Sequence, residues 1–201
     1  MSEKELAGYQ TLQSGNDCAL HAISGAITLI SDEQIQPSEL IETTNRLWWH
    51  GQFFRVAPGG GVTPGMQKRL VNYLAKKRGL ALSAQLIHST PGALPDLLKN
   101  TDQAVLVTIY WLARQAPAIY RGQNDFNFNQ NKTFGAHTML FSRFDPHHKT
   151  QEKITPWGFI NSWAAGGTDL FWMEDAPFRK AWKFPLPMLG HNATVLITRT
   201  N

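Results

Sequence analysis

Apolar residues recur at Leu20, Ile23, Ile27 and Ile30, three or four positions apart, and predict an amphipathic helix over residues 17–30. Gly15 supplies the turn before it, and Asp17 stands where a side chain can cap the first unpaired N–H groups. A second helix is expected to begin at Pro37-Ser38 and to run through Leu40, Ile41 and Leu47. Thr63-Pro64 has the order of a helix start, a cap followed by proline in the first turn. This helix continues through Leu70, Tyr73 and Leu74 until Gly79 stops it. Leu80 to Ile87 reads as a strand, and Gly92 to Leu98 as another short helix.

The period then changes. Ala104 to Leu112, rich in Val, Ile, Tyr and Trp, reads as a central strand. Residues 113–136 contain Pro, Gly and many Asn and read as a long insertion leading to His137. Further strands are expected at His137–Phe144, Trp157–Ser162, Leu170–Met173 and Thr194–Thr198. A helical first half followed by a sheet-forming second half implies an α+β fold with the active site between the two. The Trp48-Trp49 and Phe53-Phe54 pairs fall in a junction whose packing the pattern does not assign.

The length of 201 residues, with 42 % apolar and 17 % charged positions, suits a single folded domain spanning 1–201. The net charge of +4 comes from scattered basic residues and short groups such as Lys76-Lys77-Arg78. No RNA-binding or zinc-finger spacing accompanies them, so no nucleic-acid partner is expected. No apolar stretch is long enough for a membrane span. MSEKELAGYQ has no basic region leading into an apolar run, hence no ordinary signal peptide. The expected location is the cytoplasm, or a host or target cell reached without such a signal. The single cysteine rules out an intramolecular disulfide.

That cysteine lies in the most informative segment, Gln13-Ser14-Gly15-Asn16-Asp17-Cys18-Ala19-Leu20-His21. At a helix head, unpaired N–H groups and the positive dipole end lower a thiol's pKa and favour the nucleophilic thiolate. Gln13 upstream can direct its amide N–H at the oxygen that turns negative under attack, with the Cys18 N–H as second donor. His137 opens a strand-like run after Gly135-Ala136 and can serve as base, then as acid to the leaving group. Asn161, in Phe159-Ile160-Asn161-Ser162-Trp163, can bond the far imidazole nitrogen and fix the tautomer, with Trp163 shielding the contact. His21, three residues beyond Cys18 on one helix, is badly placed to pair with it and reads as structural. Asp145-Pro146-His147-His148 offers two adjacent histidines on a turn, a poor chelate without further ligands. No metal and no cofactor are expected.

Glutamine, helix-head cysteine, distant histidine and asparagine, in this order, resemble the papain-like cysteine peptidase superfamily. Ile160-Asn161-Ser162-Trp163 is similar to the Asn-Ser-Trp segment of papain itself. The chain lacks papain's Gly-Ser before the cysteine and Trp after it, and Gln13 stands five rather than six positions upstream. That shorter spacing and the Cys-Ala-x-His arrangement resemble the Josephin deubiquitinases, as do Pro37-Ser38-Glu39-Leu40 and Gly60-Gly61-Val62-Thr63. Asn16-Asp17-Cys18 also resembles the bacteriocin-processing peptidases, which cut after double-glycine leaders. The resemblance implies a papain-like fold and hydrolysis of a peptide or isopeptide bond through an acyl-enzyme. Cys18, His137 and Asn161 would be catalytic, Gln13 would complete the oxyanion hole, and a protein or peptide would be the substrate. A transamidase or acyltransferase, and an inactive papain-like binding module, are the alternatives. The oligomeric state stays open.

Overall fold

The computed structural model describes residues 1–31, 33–47, 61–122, 124–127, 134–165, 167–184 and 191–200. The Trp48-Trp49 and Phe53-Phe54 pairs and the glycines at 59 and 60 lie outside them. The first half holds α1 (Glu3–Ala7), α2 (Cys18–Ile30), α3 (Pro37–Leu47) and α4 (Pro64–Arg78). β1 (Leu82–His88) and a 3-10 helix, Leu94–Lys99, follow. The second half supplies β2 (Gln103–Leu112), β3 (Ala118–Arg121), β4 (Asn124–Asn127), β5 (Phe134–Phe144), β6 (Lys149–Thr150), β7 (Lys153–Ile154) and β8 (Trp157–Ile160). β9 (Phe171–Met173), α5 (Asp175–Trp182) and β10 (Ala193–Arg199) complete the chain.

Local chemistry sets the helix ends. Thr63 accepts a hydrogen bond from the Met66 N–H, Pro64 occupies the first turn, and Gly79 closes α4 in the left-handed region at φ 67°. Gly79 has no Cβ to clash there, which is why the helix stops at that residue. Asp17 departs from expectation. Its side chain makes no cap bond to the helix, and instead accepts from the Gly15 N–H and faces His21.

β1, β10, β2, β5, β8, β9, β3 and β4 form one sheet in that order, every pair antiparallel. The alternation of side chains across the strands divides the core into two layers. On one face Leu106, Leu140, Ile160 and Ile197 meet Leu20, Ile23 and Ile27 of α2 and Leu70 and Leu74 of α4. On the other, Val107, Ile109, Phe141 and Phe159 meet Phe178 and Trp182 of α5. Burying each such side chain contributes about 1.5–3 kcal/mol of hydrophobic free energy before entropy is charged against it.

Four local features depart from the pattern. The helix expected over 92–98 is a 3-10 helix, Leu94–Lys99, with Pro95, which has no N–H, in its first turn. The long insertion at 113–136 contains the β3–β4 hairpin, joined to the sheet through Tyr120 opposite Trp172. α5 went unread because eight residues hold barely two turns, although Phe178, Ala181 and Trp182 carry the helical spacing and are buried. The N-terminal segment, for which no helix was expected, also holds one, α1, headed by a reciprocal Ser2–Glu5 capping box. Glu3 Oε1 accepts from the Leu170 N–H and from Trp172 Nε1, tying that helix to the β9 segment.

Candidate active site

Cys18 is the first residue of α2, and its thiol is turned toward β5, where the Thr138 N–H donates to the sulfur at 3.5 Å. Thr138 directly follows His137, so the sulfur sits beside the segment that carries the imidazole. His137 is 4 % exposed, and Asn161, just past the end of β8, is 2 % exposed. β5 and β8 are paired neighbours, with Leu140 opposite Ile160, and this register brings the two side chains together. His137 Nε2 lies 2.7 Å from Asn161 Oδ1.

A second bond settles the direction of the first. The Ser162 N–H donates to the same Asn161 Oδ1 at 2.7 Å, so the amide must present oxygen, not nitrogen, at that point. His137 Nε2 is therefore the donor and carries the proton. In the neutral ring Nδ1 is then the basic nitrogen, the tautomer a general base for a thiol requires. The Trp163 ring lies 4.9 Å from the imidazole, centroid to centroid, tilted by 41°. At that distance the indole packs against the imidazole.

The protonation of the pair differs from the expectation of a ready thiolate. Burial pushes the Cys18 thiol up, and the adjacent Asp17 carboxylate pushes it further. The N–H groups of Thr138, Ala19 and Cys18 itself pull the other way, as a helix head should, but less strongly. Burial also holds His137 down at about 4, against the smaller pull of Asn161. In the free protein near neutral pH the pair is thus thiol and imidazole.

Gln13 is held on both sides. Its backbone N–H donates to Ser162 O at 2.8 Å, and Ser162 Oγ donates to its Oε1. With the oxygen so engaged, Nε2 faces the loop before Cys18 and donates to Gly15 O at 2.7 Å. An amide nitrogen has two protons, and the Gly15 bond uses one of them. Ser162 had no assigned role from the sequence, yet it touches both Gln13 and Asn161. The only hint was its place inside Asn-Ser-Trp.

His21 belongs to a separate network. Its Nε2 faces Asp17 Oδ2 at 3.4 Å and its Nδ1 is 2.6 Å from Thr11 Oγ1. Burial lowers its pKa despite the Asp17 charge, so it too is neutral. With both nitrogens engaged it is not placed to take the thiol proton. Asp145 lies at the far end of β5 and accepts from the His147 N–H. It stands eight positions along the chain from His137, roughly 26 Å at the usual rise of a strand. His148 stacks on Trp172 with 3.5 Å between ring centroids and bonds Thr155. Among the described residues no group of three His, Cys, Asp or Glu is arranged to hold a metal. Nor, among the described residues, is any helix long and apolar enough to cross a membrane.

No family model and no curated protein matches the chain. A solved structure does: a Bacillus anthracis protein provisionally named as a C39-like peptidase. The two share a fold. The TM-score is 0.58 over 98 % of this chain and 97 % of that one, at 12 % sequence identity. C39-like peptidases belong to the papain-like group, and the likeness agrees with an α+β papain-like fold for this chain. At 12 % identity the likeness concerns the fold, and function has to be argued from the side chains.

Proposed function

We propose that the protein is a cysteine peptidase that hydrolyses a peptide or isopeptide bond in a restricted protein substrate. The reading rests on one observation above the others: the thiol of Cys18 sits against the strand of His137, whose tautomer is set by Asn161. The neighbouring fold agrees with it.

In this reading, Cys18 Sγ gives its proton to His137 Nδ1 as the sulfur attacks the carbonyl carbon. The oxygen becomes negative and is met by the Cys18 N–H and by Gln13 Nε2. The new imidazolium, steadied by Asn161 Oδ1, returns the proton to the departing amine, leaving a thioester on Cys18. Water, deprotonated by the same His137, then hydrolyses the thioester. Starting from a neutral pair costs activation energy, but it leaves the sulfur little reactive until a substrate expels water and aligns the carbonyl.

The test is labelling of the purified protein by peptide vinyl sulfones, run beside a panel of ubiquitin conjugates, double-glycine leader peptides and unstructured peptides. Labelling of Cys18 that depends on His137, together with cleavage of one substrate class, is the expected result. Equal labelling of wild type and His137→Ala, with no cleavage of any class, would return the protein to the binding-module reading. Amine capture exceeding hydrolysis would instead mark a transamidase.

A further inference from the structure

Gln67, in the first turn of α4, is fully buried although its amide is polar. Burying such a group is costly unless its protons find acceptors. Here they do. Gln67 Nε2 donates to Val62 O at 3.0 Å, a carbonyl that can only accept, and this fixes which end of the amide is nitrogen. Its other proton is directed at two hydroxyls, Thr138 Oγ1 at 3.1 Å and Thr108 Oγ1 at 3.4 Å. Those two oxygens lie 2.9 Å apart. They meet because Thr108 of β2 and Thr138 of β5 stand opposite one another in the register, with both side chains on the face that α4 covers.

Thr138 is also the residue whose N–H reaches the Cys18 sulfur at 3.5 Å. Only Cα and Cβ stand between that nitrogen and the hydroxyl oxygen that Gln67 holds. The sheet secures this stretch of β5 from one side. Its pairing with β2 continues past Thr138, whereas its pairing with β8 begins at Leu140, opposite Ile160. Ladder hydrogen bonds fix a strand within the plane of the sheet. The amide of Gln67 fixes Thr138 in the remaining direction, perpendicular to that plane. A hydrogen bond weakens steeply as its angle closes, so a small tilt of the Thr138 peptide is enough to lose the sulfur. Among the backbone N–H groups that favour the Cys18 thiolate, that of Thr138 acts most strongly, ahead of those of Ala19 and Cys18 itself.

We propose that Gln67 is a positioning residue of the candidate site: its amide anchors Thr138 and so holds the Thr138 N–H against the Cys18 sulfur. In the proposed chemistry Gln67 touches none of the reacting atoms and acts through Thr138. Its Oε1 has no hydrogen-bond partner among the described residues, so the donating end of the amide is the one that serves. A methionine has a similar reach and fills the same space without donating. The inference deepens the peptidase reading and rests on it for any part in turnover, but the setting of the sulfur can be measured without a substrate.

The test is the rate of Cys18 alkylation by iodoacetamide, followed as a function of pH. The titratable groups around the sulfur are Asp17 before it, His137 on β5 and Tyr110 on β2, and none of the substitutions used here alters them. In Gln67→Met, alkylation near neutral pH should be about three- to tenfold slower, the effect expected of one lost hydrogen bond, with the profile moved to higher pH. Thr138→Val keeps the N–H and the shape but removes the hydroxyl. It should give the same shift, and it decides the matter if Gln67→Met does not fold. Asn72→Ala is the structural control: on the same helix, its amide holds the Ala84 N–H and C=O at 2.8 and 2.9 Å. Its melting temperature should fall while its alkylation profile stays that of the wild type. An unshifted profile in Thr138→Val or in folded Gln67→Met, or an equal shift in Asn72→Ala, overturns the anchor and leaves the peptidase reading standing. Shifted profiles in a protein whose wild type cleaves no peptide keep the anchor and remove the peptidase reading.

Discussion

His137 Nε2 donates to Asn161 Oδ1 across 2.7 Å, and the Ser162 N–H holds that same oxygen in place. In the proposed chemistry Asn161 orients the base without touching the reacting atoms, and its loss should hurt less than loss of Cys18 or His137. For Asn161→Ala we expect kcat to fall on the order of 10–10³-fold, between a supporting hydrogen bond and a larger preorganisation effect. Asn161→Asp should recover part of that, since a carboxylate accepts the same N–H. Steady-state kinetics beside an Asp145→Ala control decide: a wild-type Asn161→Ala together with an inactive Asp145→Ala would sink the assignment.

Cys18→Ser removes the proposed nucleophile with almost no change in volume. Turnover should vanish while the melting temperature stays within a few degrees of wild type. Retention of more than a few per cent of kcat would mean that another group attacks.

The two histidines near the head of α2 should rank in a definite order. His137→Ala should abolish activity. His21→Ala should chiefly destabilise, because it removes a partner from the buried Asp17 carboxylate and from the Thr11 hydroxyl, at a cost of roughly 1–3 kcal/mol. Chemical denaturation run beside kcat measurements on both variants checks this. The opposite ranking of activities would identify His21 as the base.

Acid should unfold the protein through its buried imidazoles. His137 titrates at about 4 in the fold, against 6.5 as its ordinary value, and His21 is lowered as well, in both cases by burial. Between those values the unfolded chain binds more protons than the native one, so protonation favours unfolding. The stability contributed by neutral His137 is complete above pH 6.5 and is lost as pH falls toward 4. Urea midpoints should be level from pH 6.5 to 8 and decline below, and the decline should be shallower in His137→Asn. A midpoint that rises on acidification would contradict the burial of these rings.

Gly135 faces a ring with no room for a methyl group, the nearest Trp111 atoms lying 2.1 to 2.4 Å from where a Cβ would stand. Gly135→Ala should cost about 1–3 kcal/mol, the usual range for overpacking, and displace the indole. Tryptophan fluorescence and a denaturation curve measure both. An unchanged midpoint would mean that Trp111 can move away freely.

The helices that frame the site were legible because their signals are local. The spacing of Leu20, Ile23, Ile27 and Ile30 places Cys18 at the head of α2, and Thr63-Pro64 and Gly79 bound α4. The valine-rich run at β2 and the alternation around His137 were likewise readable within a few residues. The order of cysteine, histidine and asparagine, with their chemistry, was enough to choose the candidates. Their meeting was not. Cys18 and Thr138 are 120 positions apart and His137 and Asn161 are 24 apart, so each contact waits on which strands pair and in what register. The charge state of the thiol also escaped local reasoning. The helix head acts within one turn, whereas the burial that outweighs it comes from side chains contributed by distant segments. Periodicity is a property of neighbours along the chain, but desolvation and strand pairing depend on neighbours in space, which only folding assigns.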